Sequence, residues 1–165
     1  MEKYQEFIRR AVRLGATDAK TIKTSSVVTA PWVRWKCRYG CGMYGTSLCC
    51  PPNSPTYKET RELLDSYKHA ILIHLQKGFD FKTHPTKIVA TLEREIFLAG
   101  YHKAFALGEG PCMICGGCNL EQCVHPSEAR PSMESFGIDV YTTVRNSGFF
   151  IEVLRPASRT GMGLF

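Results

Sequence analysis

Apolar and polar positions first fall into a helical rhythm. Tyr4, Phe7, Ile8, Ala11 and Val12 lie on one stripe, with Glu2, Glu6, Arg9 and Arg10 among them, which predicts an amphipathic helix over residues 1–15. Residues 21–29 are rich in β-branched side chains and predict a strand. Ser54 followed by Pro55 has the form of an N-cap with proline at the first helical position. The helix it opens runs to about residue 67, with Leu63, Leu64 and Tyr67 facing inward. Residues 70–75 are almost continuously apolar, as in a strand covered on both faces. Ile88, Leu92, Ile96 and Ala99 recur at helical spacing and predict a helix over 86–103. A short strand over 104–107 then leads into the turn Gly108-Glu109-Gly110-Pro111. Two short helices follow: 131–136, ended by Gly137, and 140–147, capped by Asp139 and ended by Gly148. A last strand is predicted over 149–154, before a glycine-containing tail, 155–165, that is either flexible or used in an interface.

Strands alternating with helices predict an α/β (or α+β) class, a small single-domain sandwich of a mixed sheet with helices. One metal-binding domain over 1–165 is expected, carrying two cysteine-rich loops, 31–55 and 108–126. In such folds sites lie beyond the carboxyl ends of strands, where the second loop falls. The N-terminus has no continuous apolar core of the signal-peptide kind. No apolar run is long enough to cross a bilayer, so a cytoplasmic protein without a membrane is expected.

Eight cysteines change the picture. Reducing compartments disfavour a disulfide framework, and these cysteines form two tight groups, which points to metal. The formal charge of +6 invites nucleic acid. A four-iron cluster on four thiolates carries about −2, and two of them would bring the chain to about +2. With no run of five basic residues either, nucleic acid is not expected as a partner.

The second group is Cys112, Cys115, Cys118 and Cys123, spaced C-x2-C-x2-C-x4-C. Zinc prefers two C-x2-C pairs from separate segments that converge on one atom. Three cysteines within seven residues suit a four-iron cluster, whose irons lie at separate corners. Bacterial ferredoxins use C-x2-C-x2-C-x3-C-P. The present run has one residue more before the last cysteine, and Pro126 follows three residues after it. Gly116 and Gly117 let the backbone approach the cluster. In two-cluster ferredoxins the fourth cysteine of such a run serves the other cluster, so Cys123 has two possible destinations. Zinc remains the alternative metal.

The first group is Cys37, Cys41, Cys49 and Cys50, in a loop with Gly40, Gly42 and Gly45 that leaves through Pro51-Pro52. Side chains of neighbouring residues diverge, so Cys49 and Cys50 are not expected on one cluster, and one of them is spare. Cys37, Cys41 and Cys50 are the preferred ligands, with Cys49 the alternative. Three thiolates would leave one iron open to a substrate, a small ligand or a partner's thiolate. Trp32 and Trp35 flank the group, and core packing is the expectation for both, ahead of shielding the site. His125 is read as a surface or packing residue rather than a ligand, and His69, His74, His84 and His102 as structural.

Four stretches carry a resemblance: Cys37-Arg38-Tyr39-Gly40-Cys41; Cys50-Pro51-Pro52 with Pro55; Gly108, Gly110-Pro111-Cys112, Cys115 and Cys118; and Ala129-Arg130-Pro131-Ser132-Met133-Glu134 with Gly137-Ile138-Asp139-Val140. With these the chain resembles the predicted metal-binding family called domain of unknown function 2284, found in anaerobic archaea and bacteria. The resemblance covers nearly the whole chain and implies metal, iron–sulfur in kind. The family pattern has one cysteine before the proline pair, which matches Cys50 and makes Cys49 the departure. Arg130, Met133 and Glu134 belong to the family-like stretch, and Glu134 is placed to pair with Arg130 along a helix. The leading expectation is one or two 4Fe-4S clusters that carry electrons to a redox or cluster-accepting protein partner in anaerobic metabolism. The rivals are an enzyme with an open iron at the first loop, a cluster carrier, and a zinc-stabilised interaction protein.

Overall fold

The computed structural model describes residues 4–75 and 85–151. Helix α1 (Gln5–Arg13) buries Phe7 and Ala11, four residues apart on one face. Tyr4 and Ile8 pack beside them, whereas Val12 is exposed, so the apolar stripe is narrower than the periodicity predicts. Strand β1 (Asp18–Lys23) buries Ala19 on one face and Ile22 on the other. It pairs antiparallel with β2 (His69–His74), from Asp18↔His74 to Lys23↔His69.

The mixed α/β class holds. Among the described residues, though, the sheet is this one antiparallel ribbon. Residues 104–107 and 149–151 form no strand, and 152–154, with the tail, lie outside the described residues. Both faces of β2 carry packing, Ile71 and Ile73 against the cluster of Phe7 and Ala11 and Ala70 and Leu72 against that of Ile22 and Ile138, with Leu72 its one buried residue. The predicted strand over 21–29 ends early, because a 3-10 turn at Thr24–Ser26 bends the chain away.

Two apolar clusters hold the ribbon. On one side Phe7, Ala11, Ala16 and Ala19 meet Leu92 of α4 (Pro85–Leu98), and an Arg10–Glu95 ion pair at 2.7 Å ties the two helices. On the other side Ile22, Val27 and Leu72 meet Ile138 and Val144. Each such side chain contributes about 1.5–3 kcal/mol by leaving water.

Three shorter elements place the loops. Helix α2 (Pro31–Gly40) opens with proline in its first turn and runs through Cys37, so the first part of the predicted loop 31–55 is helical. Helix α3 (Tyr57–Asp65) is capped by Thr56, whose hydroxyl accepts from the Glu59 amide while Glu59 reaches back, and not by Ser54. Ser54 is occupied elsewhere: its hydroxyl donates to the Ser135 carbonyl at 2.8 Å. Helix α5 (Val140–Asn146) starts at its Asp139 cap, as predicted, and Gly148 beyond it has φ +74°. Residues 131–137 form turns, not a helix, closed by Gly137 with φ +73°.

Candidate metal centre

Both cysteine loops hang from the turn at 131–139. Helix α2 begins beside it, since the Ala30 amide donates to the Gly137 carbonyl at 2.8 Å and Asp139 donates to Val28 at 2.8 Å. Arg34 of α2 reaches over with Nη1, which donates to the carbonyls of Ser54, Pro55 and Ser135 and to the Ser54 hydroxyl. One guanidinium therefore fixes the exit of the first loop against the turn. The second loop enters at the same place. Gly108 donates to the Pro131 carbonyl at 2.7 Å, and Met133 donates back to Gly108 at 3.0 Å. A side chain at Gly108 would meet Thr86 at 3.1 Å, so the close approach needs glycine.

Within the first loop the last turn of α2 presents Cys37, and the chain becomes extended at Cys41. Gly45, at φ +77°, donates to the Pro51 carbonyl at 2.7 Å and closes the loop. Ser47 is buried, and its oxygen accepts from the Cys49 amide at 3.1 Å. The second loop is different in kind. From 109 to 130 not one residue is buried.

All eight cysteines are free thiols, and they approach one another across the two loops. Cys50, the most buried, faces Cys41, and Cys37 faces Cys41 and Cys50. Burial, then the nearby Cys112 thiol, then Cys123 and Cys50, push Cys49 up to about 12. Cys112 acts on Cys50 as well as on Cys49, so it lies near both. Burial, with Cys112, Cys118 and Cys123 around it, also raises Cys115. Burial, with neighbouring thiols, likewise raises Cys37 and Cys50. These thiols hold their protons because thiolates packed together repel and lose water. Cys37 thus has Cys41 and Cys50 as thiol neighbours, Cys50 has Cys41 and Cys112, and Cys49 has Cys112, Cys123 and Cys50. Among the described residues no three His, Cys, Asp or Glu side chains converge tightly enough to clasp a single ion.

Charged neighbours surround the thiols. Glu134 is close enough to Cys37 to raise it, and Arg34 close enough to oppose that. Arg130 feels Cys49, but its ion pair at 2.7 Å is with Glu93 of α4, not with Glu134. Glu93 also accepts from the Ala106 amide at 2.6 Å, which straightens 104–107 without any strand partner. Glu93, Arg34 and Ser47 had no local signal, since their partners are distant in sequence or lie inside an irregular loop. Trp32 and Trp35 are exposed rather than packed in the core, and with Tyr39 they form an aromatic face on α2. His125 is exposed, His69 packs on Tyr4 and His74 on Phe149; His84 lies outside the described residues. A cavity of about 950 Å³ lies between the ribbon, α3 and α4, and no cysteine lines it.

No helix among the described residues is long and apolar enough to cross a membrane. No curated protein and no solved structure proved similar to the chain. The profile of a single family, described as predicted metal-binding protein, matches residues 20–165. That span contains both cysteine loops and the turn that joins them, and the description leaves the metal unspecified. On that match the chain belongs to the predicted metal-binding family, domain of unknown function 2284.

Proposed function

We propose that this chain is an iron–sulfur protein that holds one or two 4Fe-4S clusters on its cysteine loops and passes electrons to a protein partner. One observation carries the reading: free thiols from two loops, far apart in sequence, gather beside one turn. Thiolates are soft donors that suit iron–sulfur centres, copper(I) and zinc. Thiols spread over two loops, with no three clasping a point, suit the separate corners of a multi-iron body better than one tetrahedral ion.

When bound, such a cluster supplies reversible one-electron transfer. The chain's own residues orient the thiols, through Arg34 and Ser47, and leave the surroundings open to a partner. Trp32, Trp35 and Tyr39 on α2 and Met113, Leu120 and Val124 on the second loop are large apolar side chains left exposed around the thiols. Exposed apolar surface of this kind marks contact sites. The exposure of the second thiol loop favours electron transfer to a partner over catalysis in a closed site.

The test is isolation without oxygen, followed by iron and sulfide analysis. We expect a brown protein with iron and sulfide in equal amounts, about four or about eight of each per chain. Dithionite should bleach it, and mild reoxidation should restore the colour with no iron lost. A colourless preparation, or one that holds zinc alone, overturns the reading.

A further inference from the structure

We propose that the cavity between the ribbon, α3 and α4 binds an elongated apolar acid that carries a second oxygen at its far end, of the hydroxy- or oxo-acyl kind. The site is separate from the cysteine loops, since no cysteine lines it. Protein interiors leave few voids larger than a water molecule, and a hollow of about 950 Å³ is of the size of ligand sites. Its walls are mostly aliphatic and aromatic, which suits water poorly. Shape decides the body of the ligand. One edge of β2 is taken by β1, and among the described residues no strand takes the other. Ile71 and Ile73 on one face of β2, and Ala70 and Leu72 on the other, all line the cavity, as do residues 104–107. The hollow therefore bends round the free edge of β2, with one lobe toward α4 and one toward α3. A flexible chain follows that bend, whereas a rigid flat ring cannot fill both lobes.

Polar groups decide its ends. The Tyr4 ring lies 5.6 Å from that of His69 and 5.9 Å from that of Tyr101, so the exposed pairs Lys68-His69 and His102-Lys103 stand at one end of the cavity. Among the described residues that line it the one acid is Glu93, which forks onto Arg130. No ion pair among the described residues involves Lys68 or Lys103. A mouth of one sign draws an acidic head. Deeper in, each lobe holds one buried hydroxyl with no hydrogen-bond partner among the described residues. Thr21, opposite Ile71 in the ladder, belongs to the α4 lobe. Thr60 of α3 is 0 % exposed and lies one turn before Leu64, which packs on the Ile22 cluster, so it belongs to the other lobe. A buried hydroxyl left without a partner is unfavourable. A head oxygen answers Thr21, and an oxygen at the far end of the chain answers Thr60.

The test is calorimetric titration of the full chain, prepared without oxygen and with whatever metal it holds. The probes are ω-hydroxydodecanoate, dodecanoate and dodecanol, each below its micelle concentration. We expect the hydroxy acid to saturate at one molecule per chain and to bind about tenfold more tightly than dodecanoate, with dodecanol weaker still. Thr60→Val keeps the shape of the side chain and removes the hydroxyl. It should bind dodecanoate as before and lose the preference for the hydroxy acid. Lys68→Gln combined with Lys103→Gln should weaken both acids by about tenfold and leave dodecanol unchanged. An unsubstituted chain that shows no saturable binding of the hydroxy acid overturns the proposal, and so does a preference that survives in Thr60→Val. Should that variant fail to fold, an unchanged affinity for both acids in the double lysine variant overturns it instead.

Discussion

Cys49 and Cys50 are neighbours in the chain and strangers in the fold. Peptide geometry sends adjacent side chains to different sides, and here Ser47 holds the chain at that point by accepting from the Cys49 amide. The consequence is measurable before any metal is bound. Cys49 is pushed up to about 12 from the ordinary 9.0, by burial first and by Cys112 next, so near pH 8 it is protonated in the folded chain and partly ionised in the unfolded one. Only the thiolate reacts with iodoacetamide. In the metal-free, reduced chain at pH 8 we expect Cys49 to label at least about tenfold more slowly than in urea, followed by mass spectrometry. Equal rates would mean that Cys49 is not held against Cys112. The sign for stability follows from the same shift. The contribution is complete below pH 9, where both states hold the proton, and is lost as pH rises from 9.0 toward about 12, where the folded chain must surrender it at higher cost.

At the scale of elements, local chemistry was legible wherever a cap or a glycine wrote it. Asp139 and Gly148 bound α5 as the sequence predicts, and the Leu92 face of α4 is buried as its spacing predicts. The α3 cap was mis-set by two residues, because Ser54-Pro55 has the right form but Ser54 is drawn into contact with Ser135, leaving Thr56 and Glu59 to close the box. Residues 104–107 show the limit more plainly. Their composition is strand-like, yet Glu93 takes the Ala106 amide that a neighbouring strand would have taken. Glycines separate into two kinds here. At Gly137 a Cβ would lie 2.7 Å from the Cβ of Tyr57, at φ +73°, so Gly137→Ala adds overlap to backbone strain. At Gly148 the nearest atom is the mobile Lys20 Nζ, 3.7 Å away, and only the φ of +74° objects. We expect Gly137→Ala to cost about 3 kcal/mol and Gly148→Ala about 1, read as shifts in urea midpoint. Equal shifts would show that the turn can move away from α3, and would weaken its role as the common anchor of both loops.

For the whole molecule the question is what keeps the second loop ordered. The sequence showed where thiols lie along the chain and which spacing they have, but not which loop each thiol serves. That depends on the turn at 131–139, whose contacts to Arg34, Ser54 and Gly108 join residues up to 101 positions apart. Residues 109–130 bury nothing, so the hydrophobic term that holds α1, the ribbon and α4 is absent there. Fixing each backbone residue costs about 1–2 kcal/mol, which for this stretch sums to tens. The anchors at Gly108 and Arg130 fasten only its ends. A bound centre is of the right magnitude to offset much of that, since structural metal sites contribute about 10 kcal/mol or more. Loop order and metal occupancy are therefore one equilibrium. Stripping the metal with a chelator under reducing conditions should speed amide hydrogen exchange across 109–130 by at least about tenfold, with the first loop next affected, while α4 and the β1–β2 ribbon keep their protection. Exchange that is equally slow with and without metal would show that the second loop holds its shape unaided, and the energetic case for a centre there would fall.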